Sequence, residues 1–366
     1  MSGGLSAAVG FAAAGATSFV VTPIALWIAR RADFYDRPRD YRKHGTPTPF
    51  LGGAAVVVGF LVAATVVGGA SGRLLVLIGS ALGLWLVGTI DDRVALAPKW
   101  RLLAETMAAA ALVAAGLGWT TSGGDGIDLV LSVIWIVGLV NAFNLMDNID
   151  GACCSVGAAS AAGVGILAAL HGQAVLAGFA FAVAGGCAGF LPWNIAGPAK
   201  IFLGDGGSMP IGFLVAALAM ATGRDLHVGD ASVLVGALLV GLPILDTVLV
   251  SLSRKRRGVT LVTGGRDHLT HRLLLSLHGP RAVAGVLALV QAILCAGAIA
   301  AQQVGTLALG VFAFGAVVCG AVAIGVLDTG RWRPAGIAVG DLSPRGRPGR
   351  LSLRSIRVAD PRPAHR

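Results

Sequence analysis

The sequence predicts an all-α integral membrane protein with about eleven transmembrane helices. Of its 366 residues, 55% are apolar and only 13% are charged, and the mean hydropathy is +0.81. A soluble domain usually carries about 25% charged residues, so an ordinary soluble fold and a largely disordered chain are both excluded. The windows 151–199 and 282–327 contain no charged residue. Each is long enough for two helices of the roughly 20 residues that cross a bilayer.

Eleven apolar segments along the chain are the predicted spans. They cover residues 5–29, 50–70, 74–90, 102–119, 127–145, 154–171, 174–192, 209–222, 231–251, 282–301 and 304–327. The first is longer than the apolar region of a signal peptide and follows no basic segment, so we expect it to be retained as a span. The spans make one transmembrane domain, residues 1–327. The basic remainder, residues 328–366, is predicted to be a disordered cytoplasmic tail near anionic headgroups.

The basic residues indicate how the spans are oriented. With eleven spans, alternate loops lie on the same side, and 26 of the 28 Lys and Arg residues fall in one set. The exceptions are Arg73 and Arg224. Because cytoplasmic loops are rich in Lys and Arg, we expect the N-terminus outside and the C-terminus inside. The net charge of +10 then requires no nucleic-acid partner, and five cysteines without a Cys-x-x-Cys spacing predict neither a disulfide framework nor a zinc site.

Carboxylates gather in the same set of loops and at the span ends beside them. Asp91 and Asp92 are adjacent at the end of the third span, where the helix dipole disfavours a negative charge. Two neighbouring carboxylates favour a bound cation. Because adjacent helical residues point about 100° apart, one can contact a metal while the other acts as a base. The structural alternative is a solvated helix end paired with Arg93.

The strongest signal is a polar stripe at the end of the fifth span. Asn141, Asn144, Asp147 and Asp150 recur every three residues, which places them along one face of a helix. Amides and carboxylates at this spacing can recognise a polar ring and approach a metal-bound phosphate. A helix cap needs only one such residue, so the stripe favours a functional role.

Two further segments supply groups for a metal and for phosphates. Asp205 lies in a glycine-rich turn that leads into a helix. Glycines let backbone N–H groups approach an anion, and Mg²⁺ commonly takes one or two carboxylates together with phosphate oxygens. A later loop predicts a cationic edge for phosphate oxygens. The residues of this edge are Arg266, His268, His271 and Arg272.

These groups together predict a Mg²⁺ site, with Mn²⁺ as an alternative ion, that is open to both cytosol and bilayer. In-line attack on a phosphate needs a nucleophile, a metal and neutralisation of charge, and the loops offer all three. The predicted chemistry is therefore phosphate transfer between a soluble nucleotide and a lipid. A secondary transporter would place its polar residues near the bilayer midplane, whereas most of these acids lie at span ends.

The motifs resemble those of the polyprenyl-phosphate N-acetylhexosamine-1-phosphate transferases, a family that includes the phospho-N-acetylmuramoyl-pentapeptide transferases. The resemblance covers roughly residues 30–280 and follows the order of the family's motifs. The matching segments are Lys43 to Pro47 with Gly52-Gly53, Asp91 to Arg93 with Pro98-Lys99, Asn141 to Gly151, Phe202 to Ser208, and the loop that carries His268 and His271.

The resemblance implies that a polyprenyl phosphate attacks the β-phosphate of a UDP-sugar, releases UMP and forms a polyprenyl-diphosphate sugar for cell-envelope glycans. The implied catalytic groups are Asp91 as the base, Asp92 as its assistant, and His268 and His271 at the phosphates. The implied ligands are Asp205 for Mg²⁺, Asn144 and Asp147 for the uridine, Phe202 for the uracil, Lys43 for a phosphate, and Asp150 without an assigned role. The resemblance also implies a multi-pass protein of the bacterial plasma membrane with a cytoplasmic site, and it is compatible with a homodimer.

Three features resemble the N-acetylglucosamine-1-phosphate branch of the family. They are the string His268-Leu269-Thr270-His271 in place of three successive histidines, the pair Lys43-His44, and the eleventh span. The predicted donor is therefore UDP-N-acetylglucosamine, and muramoyl-pentapeptide transfer in peptidoglycan synthesis is the alternative. Asn148 and Cys153-Cys154 depart from the family's central motif, so a non-catalytic homologue is one remote alternative. A membrane transporter is the other.

Overall fold

The protein is an all-α helical bundle in a computed structural model that describes residues 2–36, 47–68, 71–224, 230–260, 265–277 and 279–329. The helices are α1 (Gly3–Arg31), α2 (Gly52–Val67), α3 (Gly72–Val94), α4 (Pro98–Ala114), α5 (Asp125–Met146), α6 (Ala152–Leu170), α7 (Ala174–Asn194), α8 (Asp205–Arg224), α9 (Ala231–Leu239), α10 (Gly241–Arg257), α11 (Leu269–Leu274), α12 (Pro280–Val304) and α13 (Thr306–Leu327). Two short strands, β1 (Tyr35–Asp36) and β2 (Thr48–Pro49), pair antiparallel. The predicted tail lies almost wholly outside the described residues.

Every predicted span contains a helix, but the count of eleven is not confirmed. In the described ranges, eight helices are long and apolar enough to cross a membrane, and the pair α9 and α10 makes nine if it is one broken span. Of the other two apolar segments, α2 has only 16 residues, and the 17 residues of α4 include Lys99, Arg101 and Glu105. The protein is therefore a multi-pass membrane protein by the length and composition of its helices.

The predicted span 231–251 is not one continuous helix, because it bends by 80° between α9 and α10. The break frees backbone groups that hydrocarbon cannot solvate. Gln291, fully buried on α12, satisfies them: its Nε2 donates to the carbonyl of Leu239 (2.9 Å), and its Oε1 accepts from the N–H of Leu242 (3.0 Å). Pro243 lies one residue further on and has no N–H to continue the helix.

Helix α8 is the centre of the bundle, and every residue from Gly206 to Gly223 is buried. Helices α2, α3, α5, α6, α7 and α9 pack around it. Glycines permit the closest helix contacts. A Cβ on Gly185 or Gly189 of α7 would collide with the backbone of α1, which is the close approach that glycines four residues apart allow in membranes.

The polar loops lie together at one end of this bundle. There, Arg93 at the end of α3 donates to the carbonyl of Ala32 after α1 (3.0 Å), and the N–H of Gly151 donates to Oδ1 of Asn194 at the end of α7 (2.6 Å). Arg224, one of the two basic exceptions, lies at the opposite end, where it donates to the loop between α4 and α5. These contacts bring together the segments that follow α1, α3, α5 and α7. The orientation of the spans in the membrane stays a prediction.

The contact between α3 and α8 predicts that Gly88→Ala destabilises the protein. A Cβ on Gly88 would lie 2.5 Å from the carbonyl carbon of Asp205 and 2.7 Å from the N of Gly206, so the two backbones must separate. Overpacking of this kind typically costs about 1–3 kcal/mol of unfolding free energy. The matched control is Gly83→Ala on the same helix, because nothing lies within 4 Å of the added methyl group. Unfolding in mixed detergent micelles measures both variants, and equal stability of the two would contradict the predicted contact.

Candidate active site

The site is built around the first turn of α8. Asp92, in the last turn of α3, accepts two backbone hydrogen bonds there: its Oδ1 from the N–H of Asp205 (2.9 Å) and its Oδ2 from the N–H of Gly206 (3.1 Å). The carboxylate thereby satisfies N–H groups that have no partner within their own helix. Gly204 precedes this turn with φ +74°, and a Cβ on it would collide with the Asp92 carboxylate. Asp92 therefore fixes the glycine-rich turn.

Arg101 joins three of the polar side chains, and the sequence analysis did not identify it. Its Nη1 donates to Oδ2 of Asp91 (2.9 Å) and to Oδ2 of Asp205 (3.1 Å), and its Nη2 donates to Oδ1 of Asn144 (2.8 Å). The only signal in the sequence is its place two residues after Lys99, which closes a motif of the resemblance. Arg101 enters the site because α4 begins directly after the loop that follows Asp91.

Asn144 completes the enclosure of Asp205. Its Nδ2 donates to Oδ1 of Asp205 (2.7 Å) and to Oγ of Ser208 (3.0 Å). Both carboxylate oxygens of Asp205 therefore have donors, one from Asn144 and one from Arg101. The structure thus brings Asp91, Asp92, Asn144 and Asp205 together, as the sequence predicts.

The four side chains of the polar stripe at the end of α5 do not meet in a single site. Asn141 donates to Oε2 of Glu105 (2.5 Å), a fully buried residue of α4, and so serves helix packing. Asp150 lies on the other side of the turn and lines a cavity of about 280 Å³ with the loop after α7 and the start of α12. Only Asn144 and Asp147 of the stripe belong to the acidic cluster around α8.

Asp147 lies at the C-cap of α5, where burial and the charges of the other acids raise its pKa. Burial, followed by the negative charges of Asp205, Asp92 and Asp150, raises the pKa of the Asp147 carboxyl well above its usual range, although a hydrogen bond from the Gly204 backbone opposes this. Besides burial, the neighbouring acids therefore contribute to the raised pKa of Asp147. A cation beside it would relieve this repulsion.

Asp91 is not paired with Arg93, so the structural alternative for this helix end is wrong. The Nη1 of Arg93 bonds instead to the carbonyls of Ala32 (3.0 Å) and Asp33 (3.5 Å). The side chain of Asp91 is 8% exposed, and its two oxygens accept from Arg101 and from the N–H of Leu96 (2.5 Å). Asp91 is therefore held inside the site.

The loop that carries the histidines is fixed to the bundle from two directions. Nδ1 of His268 lies 2.9 Å from Oδ2 of Asp246, and both residues are buried. The hydroxyl of Thr270 donates to Oδ1 of Asn148, which connects this loop to the turn after α5. The rings of His268 and His271 lie 6.3 Å apart. The pair is therefore held beside the acidic turn of α5.

Arg272 does not belong to the predicted cationic edge. Its side chain is 1% exposed, and it donates to the carbonyl of Asp267 (2.9 Å), to Oγ of Ser253 (2.9 Å) and to the carboxylate of Asp328 (3.5 Å). It packs inward because these acceptors lie between α10 and the end of α13, whereas Arg266 is exposed.

The basic residues at the end of α10 hold Asp267 in the neighbouring loop. Its carboxylate binds Arg254 through two bonds (2.9 and 3.0 Å) and Arg257 through one (2.5 Å). Burial raises the pKa of this carboxyl, but these two guanidinium groups outweigh burial and lower it to about 2.

Phe202 lies on the backbone segment that joins α2 to the glycine-rich turn. Its N–H donates to the carbonyl of Pro49 (2.9 Å), and its carbonyl accepts from the N–H of Gly52 (3.0 Å). Its ring is tilted against that of Phe50, with centroids 6.0 Å apart. Lys43, the remaining predicted substrate-binding residue, lies outside the described residues.

The residues present fit a magnesium ion better than a metal held by protein ligands alone. Within the described ranges, no three His, Cys, Asp or Glu side chains are arranged as a ready metal cage. Mg²⁺ does not need one, because it usually binds through one or two carboxylates, waters and substrate phosphates. Four carboxylates against the single guanidinium of Arg101 leave negative charge for such an ion. These carboxylates belong to Asp91, Asp92, Asp147 and Asp205.

The fold and the site define a multi-pass membrane protein with a cluster of acids and glycines at one end of its helices. The family model for glycosyl transferase family 4 matches residues 74–223. The chain is 31% identical over 332 residues to the decaprenyl-phosphate N-acetylglucosaminephosphotransferase of Mycobacterium tuberculosis. The aligned region covers 80% of this chain and 81% of that relative. The chain therefore belongs to this family, and the resemblance to the polyprenyl-phosphate N-acetylhexosamine-1-phosphate transferases is confirmed.

Two other relatives represent the two branches of the resemblance. The undecaprenyl-phosphate α-N-acetylglucosaminyl 1-phosphate transferase of Escherichia coli is 25% identical over 264 residues, which cover 68% of this chain and 71% of that protein. The phospho-N-acetylmuramoyl-pentapeptide-transferase of Shouchella clausii is 32% identical over 241 residues, which cover 58% of this chain and 73% of that protein.

The environment of His271 predicts a stability that falls in mild acid. Burial, followed by the charges of His268 and Arg266, lowers the pKa of His271 to about 4 from its usual 6.5, against a weaker attraction from Asp246 and Asp267. Between these two pH values His271 binds a proton in the unfolded chain but not in the folded chain. The free energy of unfolding therefore decreases as the pH falls through this window.

The variant His271→Gln cannot take up this proton. We expect its melting temperature to fall less than that of the wild type between about pH 7 and pH 5, as followed by thermal unfolding in detergent. Because both proteins share all other titrating groups, the difference between their pH profiles isolates His271. Parallel profiles would contradict the prediction.

Proposed function

We propose that this protein transfers N-acetylglucosamine 1-phosphate from a UDP-sugar to a polyprenyl phosphate, either undecaprenyl or decaprenyl phosphate. UMP is released, and the product is a polyprenyl-diphosphate sugar for cell-envelope glycans. The observation that carries the proposal is the convergence of Asp91, Asp92, Asn144 and Asp205 at the start of α8. The names of the relatives from Mycobacterium tuberculosis and Escherichia coli support the same transfer.

Each acid has a part in the proposed reaction that agrees with its contacts. Asp91 accepts the proton of the lipid phosphate, which then attacks the β-phosphate of the donor. Asp92 holds the glycine-rich turn, so that Asp205 and the backbone N–H groups of α8 face the phosphates. Asp205 would hold Mg²⁺, and the bound ion would supply neutralisation of the phosphate charge.

Arg101 exchanges partners in this mechanism. In the structure its guanidinium forms ion pairs with the carboxylates of Asp91 and Asp205. The diphosphate of a UDP-sugar carries two negative charges and presents pairs of oxygens that the planar guanidinium binds through two hydrogen bonds. Once Arg101 turns to the phosphates, Asp91 loses a donor and becomes the stronger base.

The donor is recognised by groups around this centre. Phe202 stacks on the uracil, and Asn144 and Asp147 bind the uridine. His268 and His271, together with Lys43, contact the phosphates. The site faces the cytoplasm of a bacterium from its plasma membrane, because the basic loops at this end of the bundle follow the positive-inside rule.

The proposal predicts Mg²⁺-dependent transfer that Asp91→Asn and Asp205→Asn abolish. Membranes that contain the protein are incubated with Mg²⁺, undecaprenyl phosphate and radiolabelled UDP-N-acetylglucosamine, and the label that moves into butanol is measured with the UMP released. EDTA stops the transfer, and added Mg²⁺ restores it. The matched control is Asp125→Asn, since Asp125 is an exposed acid in the first turn of α5, away from the site.

The outcome with a second donor separates the two branches of the family. Transfer from UDP-muramoyl-pentapeptide, but not from UDP-N-acetylglucosamine, would retain the mechanism and replace the substrate. If a folded preparation transfers label from neither donor, the proposed transfer is contradicted.

Arg101 predicts a second result in the same assay. Removal of a preorganised donor that faces developing phosphate charge typically lowers kcat by about 10²–10³, so Arg101→Ala is expected to lose activity in this range. Arg101→Lys is expected to recover only part of the rate, because one ammonium group cannot bridge as a guanidinium does. The control is Arg73→Ala, which removes an exposed arginine at the opposite end of α3. Full activity of Arg101→Ala would contradict its place in the site.

A further inference from the structure

Asp246 is a fully buried acid that the proposed reaction does not use. It lies on α10, and its side chain has no exposed surface. A carboxylate inside a helical bundle is costly unless its oxygens accept hydrogen bonds. The groups that donate to Asp246 therefore indicate why an acid is present at this place.

Both oxygens of Asp246 contact the start of the histidine loop, residues 265–274. Oδ2 lies 2.9 Å from Nδ1 of His268, and Oδ1 accepts from the N–H of Leu269 (2.6 Å). His268 is the residue before α11, and Leu269 is the first residue of that helix. One carboxylate therefore fixes both the imidazole ring and the backbone that carries it.

These two bonds decide which ring nitrogen of His268 carries a hydrogen. Because both oxygens of a carboxylate act as acceptors, the hydrogen in the bond to the ring belongs to Nδ1. Nε2 of His268 has no partner among the residues that the structure describes. Nε2 is therefore the ring nitrogen that stays available for a ligand.

A second contact holds the same loop beside the acidic cluster. The hydroxyl of Thr270, two residues after His268, donates to Oδ1 of Asn148. Asn148 directly follows Asp147, which belongs to the cluster around α8. The ring of His268 is therefore anchored at the end of the bundle where the proposed reaction takes place.

The acid next to His268 in the chain has other partners. The carboxylate of Asp267 binds Arg254 and Arg257 at the end of α10. It makes no bond to the imidazole. Within the described ranges, Asp246 is thus the one acid that bonds to the ring of His268, while Asp267 holds the loop.

The break between α9 and α10 determines where Asp246 lies. Helix α10 begins at Gly241 after a bend of 80°, and Asp246 is its sixth residue. Gln291 stabilises the break through its bonds to Leu239 and Leu242. A straight helix would carry Asp246 in another direction, so the bend contributes to the contact with His268.

We propose that Asp246 is a positioning residue, which holds His268 with a hydrogen on Nδ1 and so presents Nε2 to the diphosphate of the donor. This inference rests on the proposed function, which supplies the diphosphate and assigns His268 to it. Asp246 itself touches no substrate. Because the ring is already oriented, it loses little rotational freedom when the diphosphate binds.

The variant Asp246→Asn tests this role with the smallest change of shape. The single oxygen of an amide cannot replace both acceptors, so either the ring of His268 or the N–H of Leu269 loses its bond. A hydrogen bond to a charged group is worth a factor of about 10–100. We therefore expect kcat/KM for UDP-N-acetylglucosamine to fall by about this factor, with the KM for undecaprenyl phosphate unchanged.

A double-mutant cycle separates positioning of the ring from general support of the loop. If Asp246 acts through His268, Asp246→Asn changes kcat/KM by less than about twofold once His268→Gln is present. The control is Asp328→Asn, which removes a partner of Arg272 in the same loop and does not contact the ring. We expect its effect to be the same in both backgrounds. An effect of Asp246→Asn that is also the same in both would overturn the proposal.

Solid-state NMR locates the hydrogen on His268 without turnover. The full-length protein is labelled with ¹⁵N-histidine and reconstituted in lipid, and the signals of His268 are those that His268→Gln removes. In the wild type we expect a hydrogen on Nδ1. A wild-type ring with its hydrogen on Nε2 alone would overturn the proposal, and this measurement decides the matter if Asp246→Asn does not fold.

The two experiments keep the inference apart from the function on which it rests. If the wild type transfers label from neither donor, the proposed function fails, and the assignment of Nε2 to the donor fails with it. If the wild type is active but the cycle is additive, the proposed function stands. Asp246 then supports only the fold of the loop, and its positioning role is overturned.

Discussion

The buried N-terminus of α8 is the constraint on which the rest of the site depends. A helix that begins inside a bundle must satisfy its first N–H groups without water. Asp92 does this by accepting from Asp205 and Gly206, so a carboxylate of α3 meets the positive end of the α8 dipole. The position of Asp205 then follows from the packing of α3 on α8. Gly88 makes this packing possible because it carries no side chain between the two backbones.

The packing of α3 on α8 also brings several negatively charged side chains close together. Four carboxylates share the cluster with one guanidinium, which contacts two of them. Burial, followed by the charges of the neighbouring acids, raises the pKa of Asp147. In the structure, the Arg101 guanidinium is paired with Asp91 and Asp205. In the proposed reaction, Arg101 would turn to the phosphates and leave Asp91 without this donor. A divalent ion held by Asp205 would supply the positive charge that the acids and the diphosphate then need.

The sequence predicted those parts of the fold and site that are encoded locally. Apolar windows located every helix except the short α11. Asp92 was found because two acids adjoin at a helix end, Asn144 because polar residues recur every three positions, and Asp205 because glycines surround it. The break between α9 and α10 was missed, because the group that stabilises it is Gln291, on a helix far along the chain. Arg101 was missed for a related reason, since its partners come from three different helices. Arg272 was assigned to the wrong side of its short helix, because its burial depends on acceptors in α10 and at the end of α13.

Asn148, at which the chain departs from the family's central motif, helps to hold the histidine loop in place. Its Nδ2 donates to the carbonyl of Leu145 (2.5 Å), and its Oδ1 accepts from the hydroxyl of Thr270. A residue without a side-chain amide could not make both of these bonds. The departure at Asn148 therefore supplies the contact that positions the histidine loop against the turn of Asp147. It gives no ground for reading the site as decayed.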